Sequence, residues 1–140
     1  MTSANSGNNL RTENYYPYTD SQRLRGTAMS ESGRTWQKAF KGEPIEAAHV
    51  RLWTRGRVTH PDAPLVANEL FVAVLGSGAP AVEMTLSTAG PRIRITAQGP
   101  DPLPLIHSHG PGWSILTGLC QRTGLTTDET GLWGQFGGRP

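Results

Sequence analysis

Apolar and polar positions alternate with a period of two in two neighbouring stretches of this chain. Val82, Met84 and Leu86 are separated by Glu83 and Thr85, and Ile93 and Ile95 alternate with Arg92, Arg94 and Thr96. That period puts one set of side chains on each face of a strand, and Ala89-Gly90-Pro91 supplies turn chemistry between the two stretches, so Val82 to Thr96 reads as a β-hairpin. Elsewhere the period is helical. After Pro44, which suits a first helical turn, Ile45, Ala48, Leu52 and Trp53 recur at helical spacing to about Val58, and His60-Pro61 ends the run. Asp62 then reads as an N-cap, with Leu65, Val66, Leu70 and Val74 as the apolar stripe of a second helix that stops before Gly76-Ser77-Gly78. Upstream, Trp36, Ala39 and Phe40 form a short apolar segment closed by Gly42, in keeping with an edge strand. Downstream, Trp113, Leu116 and Leu119 predict a helix from about Trp113 to Arg122. Leu125 to Phe136 carries turn residues Asp128 to Gly131 between two short strands.

The order strand, helix, helix, hairpin, loop, helix, hairpin predicts an α+β two-layer sandwich: a mixed, mainly antiparallel sheet covered on one face by helices. Ile93, Ile95, Leu70 and Leu116 are expected in one shared core, with Arg94 facing out, because a slip of one residue would turn every side chain to the other face.

Residues 34–137 are therefore expected to be one domain, preceded by a polar tail over residues 1–33. The tail is rich in Ser, Asn, Thr and Gly, lacks a sustained apolar period and is expected to be disordered when alone. Its exception is Tyr15-Tyr16-Pro17-Tyr18, three aromatics that would serve to dock on a partner or would simply be exposed. Composition adds exclusions. The 17 glycines and 11 prolines with only 17% charged residues argue against a coiled coil, and a formal charge of +2 with scattered arginines argues against a nucleic-acid surface. A single cysteine, Cys120, has no internal disulfide partner and is expected as a buried, inert thiol inside the last helix. No apolar run approaches the ~20 residues of a membrane helix, and the N-terminus has no apolar leader region, so the expected compartment is the cytoplasm.

The candidate chemistry gathers between Pro91 and Leu119. Gly99, Gly110 and Gly112 and the prolines Pro100, Pro102, Pro104 and Pro111 break regular structure between a strand and a helix start. Backbone N–H groups at Gly112, Trp113 and Ser114 would form an anion site at that helix N-terminus; an ordinary connecting loop is the reading that these residues alone favour. His107 and His109 have no further ligand at metal spacing, and neither Ser108 nor Ser114 sits in a nucleophile-elbow pattern, so a metal centre and a hydrolase are both set aside.

The element order and these motifs resemble the ATP-binding domains of the GHKL (histidine-kinase-like) superfamily, in particular the actinobacterial anti-sigma-factor serine kinases of the SpoIIAB and RsbW type. The likeness covers about Trp36 to Phe136. It implies a glutamate acting as general base and, one helical turn later, an asparagine holding magnesium. Asn68-Glu69-Leu70 supplies the glutamate as Glu69, whereas the asparagine position is Ala73, which has no oxygen to offer a hard cation. The adenine-binding motif of the family, Asp-x-Gly-x-Gly, falls on Ala97-Gln98-Gly99-Pro100-Asp101, where only Gly99 is kept and Ala97 stands at the aspartate position. The glycine lid resembles Gly110-Pro111-Gly112-Trp113. The resemblance thus implies a degenerate nucleotide site made of Ala73, Ala97, Gln98, Gly99, Asp101, Gly110 and Gly112, with weak ATP or ADP binding left open, no resident cofactor or metal, and Glu69 as catalytic residue only if the protein is active. Phosphoryl transfer needs a metal and a positioned base together, and Glu69 alone does not provide both. The expectation is a regulatory protein-binding module without kinase activity. Its partner would be a sigma factor, an antagonist, a DNA-binding regulator or a second copy, with Trp36 and Trp53 as further contact candidates. An active serine kinase and a nucleotide-binding sensor are the alternatives.

Overall fold

The computed structural model describes residues 33–104 and 112–138. Their elements run β1 (Gly33–Lys41), α1 (Glu46–Arg55), α2 (Ala63–Leu75), β2 (Ala81–Ala89), β3 (Arg92–Gln98), α3 (Gly112–Leu119), β4 (Arg122–Leu125) and β5 (Gly131–Phe136). The five strands form one sheet in the order β1-β2-β3-β5-β4. Every pairing in it is antiparallel, so the sheet is not mixed.

The period-two stretches pair as the hairpin expected of them, with Leu86 opposite Ile95 and Gly90 turning the chain at a φ of 58°. Val82, Met84, Leu86, Ile93, Ile95 and Ala97 all point into one layer, where Leu132 and Phe136 of β5 join them. The helices cover that layer. Helix α2 lies across β2, β3 and β5, α1 packs beside it toward β1, and α3 packs beside it toward β4. Ile93, Ile95, Leu70 and Leu116 share the core, and Arg94 faces away from it.

Helix α2 is buried along Ala63, Val66, Ala67, Leu70, Phe71 and Val74. Its N-cap is Asp62, but that side chain makes no capping hydrogen bond. Instead the Asp62 carbonyl accepts from the Val66 N–H, and its own N–H donates to His60 Nδ1 at 3.1 Å. His60 in turn packs edge-on against Phe136, with ring centroids 4.9 Å apart.

Helix α2 leaves Leu65 of its expected stripe exposed, and the other two helices depart from their expected phase or length. Helix α1 buries Val50, Trp53 and Thr54, which leaves Ile45, Ala48 and Leu52 of the expected stripe in solvent. Trp53 is a core residue rather than a free contact surface, and Trp36 is half-buried against the same core. Helix α3 ends at Leu119, not Arg122. The Gln121 N–H donates to the Gln135 carbonyl at 2.8 Å and Arg122 pairs with Gln135, so the sheet captures the chain before another helical turn forms. Cys120 consequently lies just beyond the helix, half-buried, with its Sγ pressed against Gly134. Burial and, secondarily, Asp62 push its thiol up to about 11, which keeps it protonated and unreactive near neutral pH. Tyr15, Tyr16 and Tyr18 and nearly all of the polar tail lie outside the described residues, although Gly33 already belongs to β1. Among the described residues no helix is long and apolar enough to cross a membrane.

Candidate functional site

Helix α2 carries Glu69 and Ala73 four residues apart, hence on one side of the helix, and both are half-buried. The Glu69 carboxylate is already engaged. Arg51 of α1 donates to Asn68 Oδ1 at 2.6 Å, and Asn68 Nδ2 donates to Glu69 Oε2 at 3.1 Å. The other carboxylate oxygen lies against Gly112, the first residue of α3, so closely that a Cβ there would collide with it. Glycine leaves room for the carboxylate here, and a larger residue would make the flexible Glu69 side chain turn aside. The seam Arg51, Asn68, Glu69, Gly112 thereby ties α1, α2 and α3 together. It also sets a carboxylate at the positive end of the α3 dipole, where negative charge is favoured and where the alternative anion-site reading would have placed its ligand.

The strand residues of the expected nucleotide site separate. Ala97 is fully buried beneath the helices, while Gln98, the next residue on β3, points to the opposite face of the sheet. There Gln98 Nε2 donates to Thr130 Oγ1 at 2.7 Å and reaches Asp128 Oδ1 and Oδ2 at 3.3 and 3.2 Å. Gly99 packs against Ala79 and Val74, and its N–H donates to the Thr130 carbonyl at 3.0 Å. Asp101 is exposed in the segment that follows, and Leu103 anchors that segment to the β4–β5 turn by donating its N–H to the Glu129 carbonyl at 2.8 Å. Glu69, Ala73 and Gly112 are thus brought together on the helix layer, whereas Gln98 is placed on the other side of the sheet. Gly110, His107, His109 and Ser108 fall outside the described residues, as does the middle of the loop between Gln98 and Gly112.

A concavity of about 540 Å³ opens on the helix-free face of the sheet. It is lined by Glu83, Gln98, Asp128 and Thr130 with Ala39, Pro80 and Pro100 around them. Burial within it pushes the Glu83 carboxyl above its ordinary value, although the residue keeps access to solvent. Asp128 behaves oppositely. Its Oδ1 accepts from the hydroxyls of Thr126 and Thr130, both at 2.7 Å, and from the Thr130 N–H at 3.1 Å; these bonds pull its carboxyl down from 3.8 to about 2. Sequence reading placed turn residues here but not this network, whose signal was Thr126-x-Asp128-x-Thr130, three short oxygen-bearing side chains around a turn.

A pH dependence follows from that shift. The folded carboxyl ionises below the unfolded one, so Asp128 contributes stability that is fully present above the unfolded value of 3.8 and is lost as pH falls from there to about 2. The difference in unfolding free energy between the wild type and Asp128→Asn, measured by chemical denaturation, should hold steady above about pH 5 and shrink across that acid window. A difference that does not change with pH would show that the turn does not depend on the ionised carboxylate.

Compared with models of protein families and with curated proteins, the chain matches none.

Proposed function

We propose that this protein is a regulatory protein-binding module built on a degenerate ATP-binding domain without kinase activity. It acts by holding a partner such as a sigma factor, its antagonist, a DNA-binding regulator or a second copy of itself. The observation that carries the reading is the outer surface of the two adjacent helices. Ile45, at the start of α1, and Leu52 are 73% and 61% exposed, and Leu65 and Val72 on α2 are 42% and 43% exposed. Each pair is separated by seven residues, two helical turns, so each forms a stripe along its helix. Apolar side chains repeated in this way on neighbouring helices favour association with another protein. The chemistry of the helix layer supports the same reading from the other side. Ala73 offers no oxygen at the metal position, and Glu69 is held between Asn68 and Gly112.

The test uses Leu52→Glu combined with Leu65→Glu. Both residues are exposed, so the fold should persist with a change of at most about 0.5 kcal/mol per site. A partner captured from the host and reconstituted in pure form, or the self-association seen by sedimentation, should weaken at least about tenfold, the effect of losing hot-spot contacts. Unchanged binding by the double variant would reject this surface. Calorimetry with ATP and magnesium covers the alternatives: turnover that disappears in Glu69→Gln would establish an active kinase, and binding without turnover would establish a sensor.

A further inference from the structure

Strand β1 is nine residues long and, among the described residues, stands at the edge of the sheet. Its ladder with β2 has a fixed phase. The Gly42 N–H donates to the Pro80 carbonyl at 2.9 Å, continuing the register in which Phe40 faces Val82, Lys38 faces Met84 and Trp36 faces Leu86. In an antiparallel pair the hydrogen-bonded positions alternate, so the even-numbered residues spend their backbone groups on β2. The N–H and C=O groups of Thr35, Gln37, Ala39 and Lys41 therefore point away from the sheet.

The side chains along this edge have a pattern of their own. Even-numbered residues lie on the helix side, where Phe40 is buried, Trp36 is half-buried, and Arg34 and Lys38 are exposed on either side of the indole. Odd-numbered residues lie on the helix-free side, where Thr35 Oγ1 meets Ser87 Oγ at 3.3 Å and Gln37 Nε2 donates to Thr85 Oγ1 at 3.3 Å. Beyond them on that side Glu83, opposite Ala39, carries the negative charge. β1 contains Arg34, Lys38 and Lys41 and no acidic residue. Two copies of this strand would bring like charges together, which disfavours pairing of the edge with itself.

We propose that the β1 edge accepts an extended segment of a partner protein as a sixth strand, and that the segment carries acidic residues two positions to either side of a large apolar one. Its acidic side chains lie beside Arg34 and Lys38, and its apolar side chain covers Trp36. The intervening positions face the other side of the sheet, where β1 offers them Thr35, Gln37 and Ala39, none of them a cation to pair with an acidic residue. Main-chain hydrogen bonds to Thr35, Gln37 and Ala39 hold the segment, and the alternation selects it. The inference deepens the partner-binding reading by naming a partner's chemistry, but it rests on β1 and not on the outer surfaces of α1 and α2.

The experiment follows amide exchange in the full chain as a synthetic peptide, Thr-Glu-Thr-Leu-Thr-Glu-Thr, is added. A second peptide with Lys in place of Glu is the control. The amides of Thr35, Gln37 and Ala39 should slow on addition of the acidic peptide, while those of Trp36, Lys38 and Phe40 are slow throughout. Affinity should fall with added salt and drop at least about tenfold in Arg34→Glu with Lys38→Glu. Gln37→Pro removes one outward N–H without touching the β2 ladder, so it should lose the peptide and keep the fold. Equal binding of the lysine peptide, or no protection at any peptide concentration, would overturn the proposal. So would odd-numbered amides that are already slow in the free full chain and become fast when residues 1–32 are removed. Loss of peptide binding leaves the Leu52 and Leu65 test intact, so the two readings fail separately.

Discussion

Phe71→Ala is expected to lower the free energy of unfolding by about 3–5 kcal/mol, the range for emptying a fully buried aromatic site. Phe71 has no solvent exposure, and its ring meets Phe40 edge-on with centroids 6.3 Å apart. Phe40 meets Trp53 in the same way at 5.8 Å. The three rings come from α2, β1 and α1, so they join the central helix and one outer helix to the edge of the sheet. Truncation removes the central helix's member of that row, and the backbone of α2, held between two helices and the sheet, has little freedom to fill the space. A domain of about 100 residues has roughly 5–15 kcal/mol in total, so the variant should stay folded only marginally. Urea denaturation of Phe71→Ala beside Val72→Ala, its exposed neighbour, checks the argument. Val72→Ala should change stability by about 0.5 kcal/mol or less, and equal losses at the two positions would contradict the burial assigned to α2.

Gly42→Ala carries the second large effect, a loss of about 2–4 kcal/mol from overpacking together with a lost hydrogen bond. A Cβ on Gly42 would fall on the Ala79 carbonyl oxygen and within 3.0 Å of the Pro80 carbonyl carbon. These are backbone atoms and cannot rotate away. Relief requires the end of the β1–β2 ladder to part, which also breaks the bond from the Gly42 N–H to the Pro80 carbonyl. Gly118→Ala is the contrasting case. Its added methyl meets nothing within 4 Å and sits inside α3, so it should stabilise by about 0.5–1 kcal/mol through helix propensity. Thermal melts of the two variants should therefore move in opposite directions, and a Gly42→Ala melt matching the wild type would refute the close approach.

The candidate site was legible in the same uneven way as the fold. Glu69 and Ala73 lie four residues apart on a helix in sequence and in structure, because that spacing is a property of the helix itself. Gln98 was grouped with Ala97, yet the alternation that begins at Ile93 continues through both and turns their side chains to opposite faces. The signal was present in the period-two pattern and called for extending it two residues further. Its partners, Asp128 and Thr130, could not be read in the same manner. They approach Gln98 only because β5 pairs with β3, with Gly131 opposite Gln98.

The sequence by itself determined the element types: the hairpin read over Val82 to Thr96, the two helices after Pro44 and after Asp62, and the two closing strands. Each follows from a period or a turn residue within one segment, where covalent geometry sets which side chains share a face. Tertiary structure alone decided the phase of α1, because its apolar residues are spread around more than one face. Contact with α2 and Phe40 selects Val50 and Trp53 and leaves Ile45 and Leu52 outside. It likewise decided the end of α3, where pairing with β5 competes with another helical turn, and the setting of Glu69, which lies against Gly112 of α3 and is held by Asn68, itself bonded to Arg51 of α1. Those outcomes depend on which distant surfaces meet, and a local pattern of apolar and polar residues states that a face must be buried without stating what buries it.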